Sequence, residues 1–195
     1  MEAFFPGPLT FVLNKAKGVP DIATAGLDSI GIRMPGNKIA NEFITACGTP
    51  LAAPSANLSG RPSPTTWQAV LEDLDGLIDC ILQGDPTEIG LESTVVDCRT
   101  ETPYVLRLGA ISLYELRTVV PSTEVARNDD DAATRSPGLR HKHYSPTAKV
   151  SIWSGGSIQE GSAAFIGIHK PDTPLAYVNI VSNADEYAQT LFEFF

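Results

Sequence analysis

An α/β fold is predicted for this chain of 195 residues, and three observations predict it. Short β-like apolar runs alternate with segments of helical period. One of those runs stops abruptly in a rigid polar loop. The chain is also 43% hydrophobic and 8% aromatic, enough at this length for a core and a second domain. The loop is residues 50–65, PLAAPSANLSGRPSPT. Residues 51–53 read as a buried strand that cannot continue, because Pro54, Pro62 and Pro64 lack the N–H that a ladder needs. A strand that stops in a stiff polar loop is how open α/β folds offer side chains to a ligand. The rival reading is a solvated turn, where Ser, Asn and Gly are common.

The elements follow in order. Residues 9–13, LTFVL, read as a strand and, with no earlier partner, as an edge. Residues 29–33, SIGIR, alternate and are closed by Pro35 and Gly36. From Asn37 the apolar positions Ile39, Ala40, Phe43, Ile44 and Cys47 recur at helical spacing, and Gly48 is the expected stop. Residues 51–53 are the third strand. Thr65 or Thr66 caps a helix carrying Trp67, Val70, Leu71 and Leu74. Residues 77–82, 93–98 and 104–108 read as strands between Gly, Pro, Asp and Thr turns. A helix over 112–119 ends at Pro121. Residues 122–147 are polar and acidic without periodic apolar positions, as a linker is. Residues 150–153, 163–168 and 176–181 resume β character, and a helix over 184–195 closes the chain. The expected organisation is a main domain over 1–120, a linker over 121–147, and a piece over 148–195 too short for a large core of its own.

Composition narrows the classes. No apolar run approaches the ~20 residues that span a bilayer, and MEAFFPGPLT lacks the basic and apolar regions of a secretory signal. Three cysteines, Cys47, Cys80 and Cys98, form no CxxC pair. Their odd number argues against a disulfide framework or a zinc site and for a reducing cytoplasm. A net charge of −9 argues against broad capture of nucleic acid. Basic residues gather at Arg135, Arg140, His141, Lys142 and His143, where a bound anion fits but a general polyanion-binding surface does not.

Polar groups recur at strand ends. Ser29 and Arg33 are four apart in a strand and so share a face. The Arg33 fork suits a carboxylate or phosphate, a surface salt bridge being the alternative. Ser55 and Asn57, with Thr65 beyond, offer uncharged donors and acceptors to a polar ligand, or form a local turn. Ser93 and Thr94 open a strand behind Gly90, and Arg107 precedes the Gly109 turn. Neither standard Gly-rich nucleotide motif is present. All three histidines lie at or beyond position 141, so no Ser/His/Asp triad assembles. The pair His141 and His143 has Lys142 between and no adjacent Cys or carboxylate, which suits packing over an anionic ligand better than a metal.

The strings FFPGPLTFVL, SIGIRMP, PLAAPSANLSGRPSPT, GLESTVVD, VLRLGAI and SPGLRHKHYSP together resemble the threonylcarbamoyl-AMP synthase family, in its longer form with a YrdC-type catalytic domain. They occur in the family's order across roughly residues 4–146. The resemblance implies a YrdC-like twisted mixed sheet with helices, then a linker and the start of a small Rossmann-like domain. It implies the joining of L-threonine, bicarbonate and ATP into threonylcarbamoyl-AMP with loss of pyrophosphate, for a downstream tRNA-modifying threonylcarbamoyl transferase complex. Mg2+ would be held mainly by the ATP phosphates. Carried over residue by residue, Arg33, Ser55 and Thr94 face L-threonine. Ser29, Asn57, Thr65, Arg107 and Tyr144 face ATP, with Tyr144 closing over the nucleotide to exclude water. No covalent catalytic residue is implied; positioning and charge stabilisation carry the reaction. The family's N-terminal section, with a basic motif for the phosphates, is expected before Phe4. The C-terminal domain is expected to extend further, so the chain alone is expected to be weakly active or inactive. The alternatives are a carbamoyltransferase-type enzyme of the same architecture and a non-catalytic module with weak RNA binding, which the acidic charge disfavours.

Overall fold

The computed structural model describes residues 2–126, 146, 148–156 and 163–195. The chain divides into two compact units, Met1–Pro54 with Glu92–Lys142, and Ser55–Leu91 with His143–Phe195.

The first unit holds β1 (Leu9–Asn14), β2 (Ser29–Ile32), β3 (Thr94–Asp97), β4 (Tyr104–Arg107) and β5 (Glu124–Val125) in the order β2-β1-β3-β4-β5. The sheet is mixed: β1 is antiparallel to β2 and parallel to β3, β3 is antiparallel to β4, and β4 is parallel to β5. β1 is therefore an interior strand, not the expected edge. Its second partner lies more than eighty residues further along, and no local pattern announces a ladder closed at that separation. β5 was not expected either. It lies in the predicted linker and is only two residues long, anchored by Glu124 N donating to Pro103 O at 3.0 Å and Ala126 N to Val105 O at 2.9 Å.

Leu9, Phe11, Val96, Val105 and Leu116 form the core, with Phe4, Phe5, Leu13, Ile111 and Leu113 against it. Leu116 belongs to a helix, α3 (Leu113–Val119), which starts at a capping box: Glu115 N donates to the Ser112 hydroxyl, and the Glu115 carboxylate accepts from Ser112 N. The earlier helix α1 (Lys38–Cys47) begins at Asn37, whose side chain accepts from Ala40 N, and stops at Gly48, φ +64°. Both ends are where the sequence pattern puts them, since an Asn cap and a left-handed Gly are local devices.

The second unit contains α2 (Trp67–Leu74), capped by the Thr66 hydroxyl rather than by Thr65. It also holds a parallel pair, β6 (Ala164–Gly167) with β7 (Tyr177–Ile180), and α4 (Ala184–Phe194), which is capped by Asn183. Residues 51–53, 77–82 and 150–153 are not strands. A β-like run becomes a strand only where a neighbour completes its ladder, and these runs do not find one. Residues 77–82 turn away at Gly76, φ +72°, and lie along α2. Together they line a cavity of about 240 Å3 with Trp67, Leu71 and Ile78 among its walls. Trp153 packs edge-on against Phe165 at 5.7 Å and donates from Nε1 to Gly156 O. Among the described residues no helix is long and apolar enough to cross a membrane.

Candidate functional site

The register of the sheet sorts the candidate residues of the first unit. β1 pairs Phe11 with Ile32, so Arg33 follows one residue beyond the last pair, beside the start of β1. Gly7 N donating to Met34 O at 2.8 Å keeps the chain there. On the other side of β1, Leu9 lies opposite Thr94 and Thr10 opposite Val95. Val95 in turn faces Arg107 across β3 and β4. Arg33, Thr10, Thr94 and Arg107 thus share one end of the sheet. Ser29 is opposite Asn14, at the other end of β2, four residues or roughly 13 Å of strand from Arg33. It is buried, whereas Arg33 is exposed, so the two bracket β2 and occupy different surroundings.

At the shared end a hydrogen-bonded cluster joins β1, β3 and β4. Arg107 donates from Nε and Nη2 to Ser93 O at 3.1 and 2.7 Å, and from Nη2 to Ser93 Oγ at 3.1 Å. The Ser93 hydroxyl is 2.9 Å from that of Thr10. Glu92 places a carboxylate oxygen 3.4 Å from Arg107 Nη2. The Thr94 hydroxyl is fully buried, accepts from Ile111 N at 2.9 Å and donates to Ile111 O at 2.6 Å. Ala110 N donates to Glu92 O at 2.9 Å. Gly109 makes this closeness possible: a Cβ there would stand 2.3 Å from Glu92 O and 2.7 Å from Thr94 N, inside any allowed contact with backbone. Residues 92–94 and 107–111 therefore lock each other in place.

The two arginines differ electrostatically. Arg107 is largely covered and already faces a carboxylate. Arg33 is exposed and makes no hydrogen bond or ion pair among the described residues. An unpaired guanidinium offers its whole fork to an incoming anion. At the far end of β3, Arg99 grips the buried Asp97 with Nε and Nη2 at 2.9 and 2.8 Å. That bond holds the Arg99 guanidinium above its ordinary pKa. Neighbouring Cys98 has its thiol pushed up, first by burial and then by the Asp97 charge. This pair lies at the opposite end of the sheet from Arg33, Thr94 and Arg107.

In the second unit Ser55 is exposed and makes no hydrogen bond among the described residues. Asn57 donates from Nδ2 to Leu58 O at 2.8 Å and Arg61 O at 3.1 Å. Its Oδ1 is buried with no partner there. The loop is held to α2 by Asp73, which accepts from Leu58 N at 3.1 Å and pairs with Arg61. Thr65 lends its carbonyl to Thr87 N at 2.9 Å. Tyr144, with Arg135, Arg140, His141, Lys142 and His143, lies outside the described residues. Among those described, no group of three or more His, Cys, Asp or Glu is placed to hold a metal.

Thr10, Glu92 and Ser93 belong to the cluster without having been singled out as ligand contacts. Ser93 sits beside the chosen Thr94. Glu92 in turn sits beside Ser93, whereas Thr10 reaches Ser93 only through the register of β1 on β3.

Comparison with known proteins adds identity. The Sua5, YciO and YrdC family model, described as "Telomere recombination", matches residues 1–109. The model "Threonylcarbamoyl-AMP synthase, C-terminal domain" matches residues 111–195. The chain is 43% identical over 159 residues to the threonylcarbamoyl-AMP synthase of Pyrococcus abyssi, covering 79% of this chain and 46% of that protein. Against the Bacillus subtilis enzyme of the same name it is 43% identical over 158 residues, covering 80% and 46%. Against that of Schizosaccharomyces pombe it is 41% identical over 165 residues, covering 78% and 40%. The chain thus spans about half the length, or less, of the curated relatives it matches. A crystal structure of P. abyssi Sua5 complexed with L-threonine superposes with a TM-score of 0.82 at 33% identity, covering 98% of this chain and 62% of that one.

Proposed function

Because the chain belongs to the Sua5, YciO and YrdC family and matches the C-terminal domain of threonylcarbamoyl-AMP synthase directly behind it, we propose that it is part of a threonylcarbamoyl-AMP synthase, a nucleotidyltransferase. The observation that carries this reading is the succession of both models along one chain, residues 1–109 then 111–195. We assign the chemistry to residues 1–120, the connection to 121–147 and the C-terminal domain to 148–195.

The substrates are L-threonine, bicarbonate and ATP. Threonine's amine and bicarbonate join with loss of water to give a carbamate. A carbamate oxygen then attacks the α-phosphorus of ATP, and the bond to pyrophosphate breaks. Arg33, exposed and unpaired among the described residues, takes threonine's carboxylate, assisted by Ser55. Thr94, its hydroxyl committed to Ile111, serves that side by holding the entry of β3. Ser29, Asn57, Thr65, Arg107 and Tyr144 are assigned to ATP. No described residue is needed as a nucleophile, so the protein's share is orientation, water exclusion and stabilisation of developing charge. The proposed Mg2+ belongs to the substrate, held mainly by the ATP phosphates. The product suits a transferase that modifies tRNA. Free thiols at Cys47, Cys80 and Cys98 support a cytoplasmic site of action.

Pyrophosphate release from ATP by a protein carrying this sequence tests the reading. Release is expected only when L-threonine and bicarbonate are both present, with an adenylate of the matching mass as product. ATP turnover that ignores threonine would overturn it.

A further inference from the structure

We propose that Glu92 is the resident anion of Arg107: it holds the guanidinium ready while the nucleotide is absent, then competes with the nucleotide's phosphate oxygens for it. Glu92 thereby sets nucleotide affinity without touching threonine affinity. The proposal rests on the synthase reading for the identity of the nucleotide, but its physical core concerns only an arginine and an anion.

Three observations carry it. First, the Glu92 to Arg107 pair, at 3.4 Å, has both side chains only about a fifth exposed, 22% and 21%. Solvent and salt weaken such a pair less than a pair such as Lys38 with Glu42, which stands almost wholly in water. Second, the carboxylate's root is fixed. The Glu92 carbonyl accepts from Ala110 N at 2.9 Å, and Gly109 packs against it so closely that no side chain fits between. The pair is therefore built into the backbone, unlike a chance meeting of two long side chains. Third, Arg107 Nη2 divides itself among Ser93 O, Ser93 Oγ and Glu92. The Ser93 carbonyl and hydroxyl orient the fork, while Glu92 brings a negative charge to it. A phosphate oxygen can replace the carboxylate without disturbing the two neutral acceptors. Arg33, on the threonine side, has no such partner among the described residues. One arginine thus gives its charge freely and the other only in exchange.

The test titrates the 195-residue chain and its Glu92→Gln variant with inorganic tripolyphosphate, with ATP and with L-threonine, by calorimetry. Glu92→Gln keeps the shape of the side chain and removes only its charge. It is expected to tighten tripolyphosphate and ATP about three- to tenfold, the scale of a partly screened ion pair, and to leave threonine unchanged. The gain should fade toward 1 M salt, where the screening length is about 3 Å. It should also vanish in an Arg107→Gln background, and Glu92→Ala should act in the same direction. Unchanged or weaker tripolyphosphate binding by folded Glu92→Gln overturns the proposal, as does an equal gain with and without Arg107. Phosphate binding by neither protein overturns it as well. Tripolyphosphate binding that responds to Glu92, with no binding of threonine, would instead overturn the synthase reading and leave this one standing.

Discussion

Arg33 and Arg107 show one residue type in two environments, the first exposed and the second largely covered beside Glu92. Arg33 is exposed and has no partner among the described residues, so Arg33→Ala is expected to leave stability within about 0.5 kcal/mol. It should weaken L-threonine by the worth of a hydrogen bond to a charged group, about 1.5–3 kcal/mol. Calorimetric titration beside a melting curve measures both. Gly109 has the opposite profile. Its missing side chain leaves room for the backbone of residues 92–94, so Gly109→Ala must push apart two segments joined by hydrogen bonds. A loss of about 1–3 kcal/mol is expected from overpacking, read by urea denaturation. Cys98 reports its own burial. Its raised pKa keeps the thiol protonated at neutral pH, and the thiolate is the reactive form. Limiting iodoacetamide should therefore label the exposed Cys47 and Cys80 well before Cys98, as followed by peptide mass spectrometry.

At the scale of the element, helix ends are the best-defined features of this chain. Asn37, Thr66, Ser112 and Asn183 each accept from a backbone N–H three residues on. Each therefore removes one orphan donor of its helix. In α3 the arrangement is reciprocal, and the bonds from Ser112 hold the Glu115 carboxyl below its ordinary pKa. A carboxyl depressed on folding adds stability above its unfolded pKa, near 4.3, and loses it as the pH falls through the folded value. The first turn of α3 should accordingly fray on acidification below about pH 4. Glu115→Gln should remove that pH dependence, and amide exchange at Ser112 and Glu115 is the measurement. Strands obey a different rule. The β-like residues 51–53 and 77–82 lack a ladder, whereas Glu124 and Val125, which look like linker, have one in β4.

For the molecule, the decisive fact is that the sheet of the first unit is assembled from distant pieces. β1 joins β3 across the whole of residues 15–93, and the core they enclose is small, Leu9, Phe11, Val96, Val105 and Leu116. Leu9→Ala, at a fully buried position, is expected to cost about 2–5 kcal/mol. That is a large part of a typical net stability of 5–15 kcal/mol, and loss of near-ultraviolet signal with urea would show it. The sequence alone determined the α/β class, the helix boundaries at Asn37, Gly48 and Ser112, and the strings by which the family is known. These rest on spacing, caps and side-chain chemistry, all local properties. Arg33, Thr94 and Arg107 were legible as polar residues at strand ends. Their meeting at one end of the sheet was not, and neither was the separation of Ser29 from Arg33. Only tertiary structure decided that β1 lies inside the sheet, that Thr10 meets Ser93 and that Glu92 faces Arg107. Register between strands is set by burial and hydrogen bonding over the whole sheet, and no window of neighbouring residues contains it.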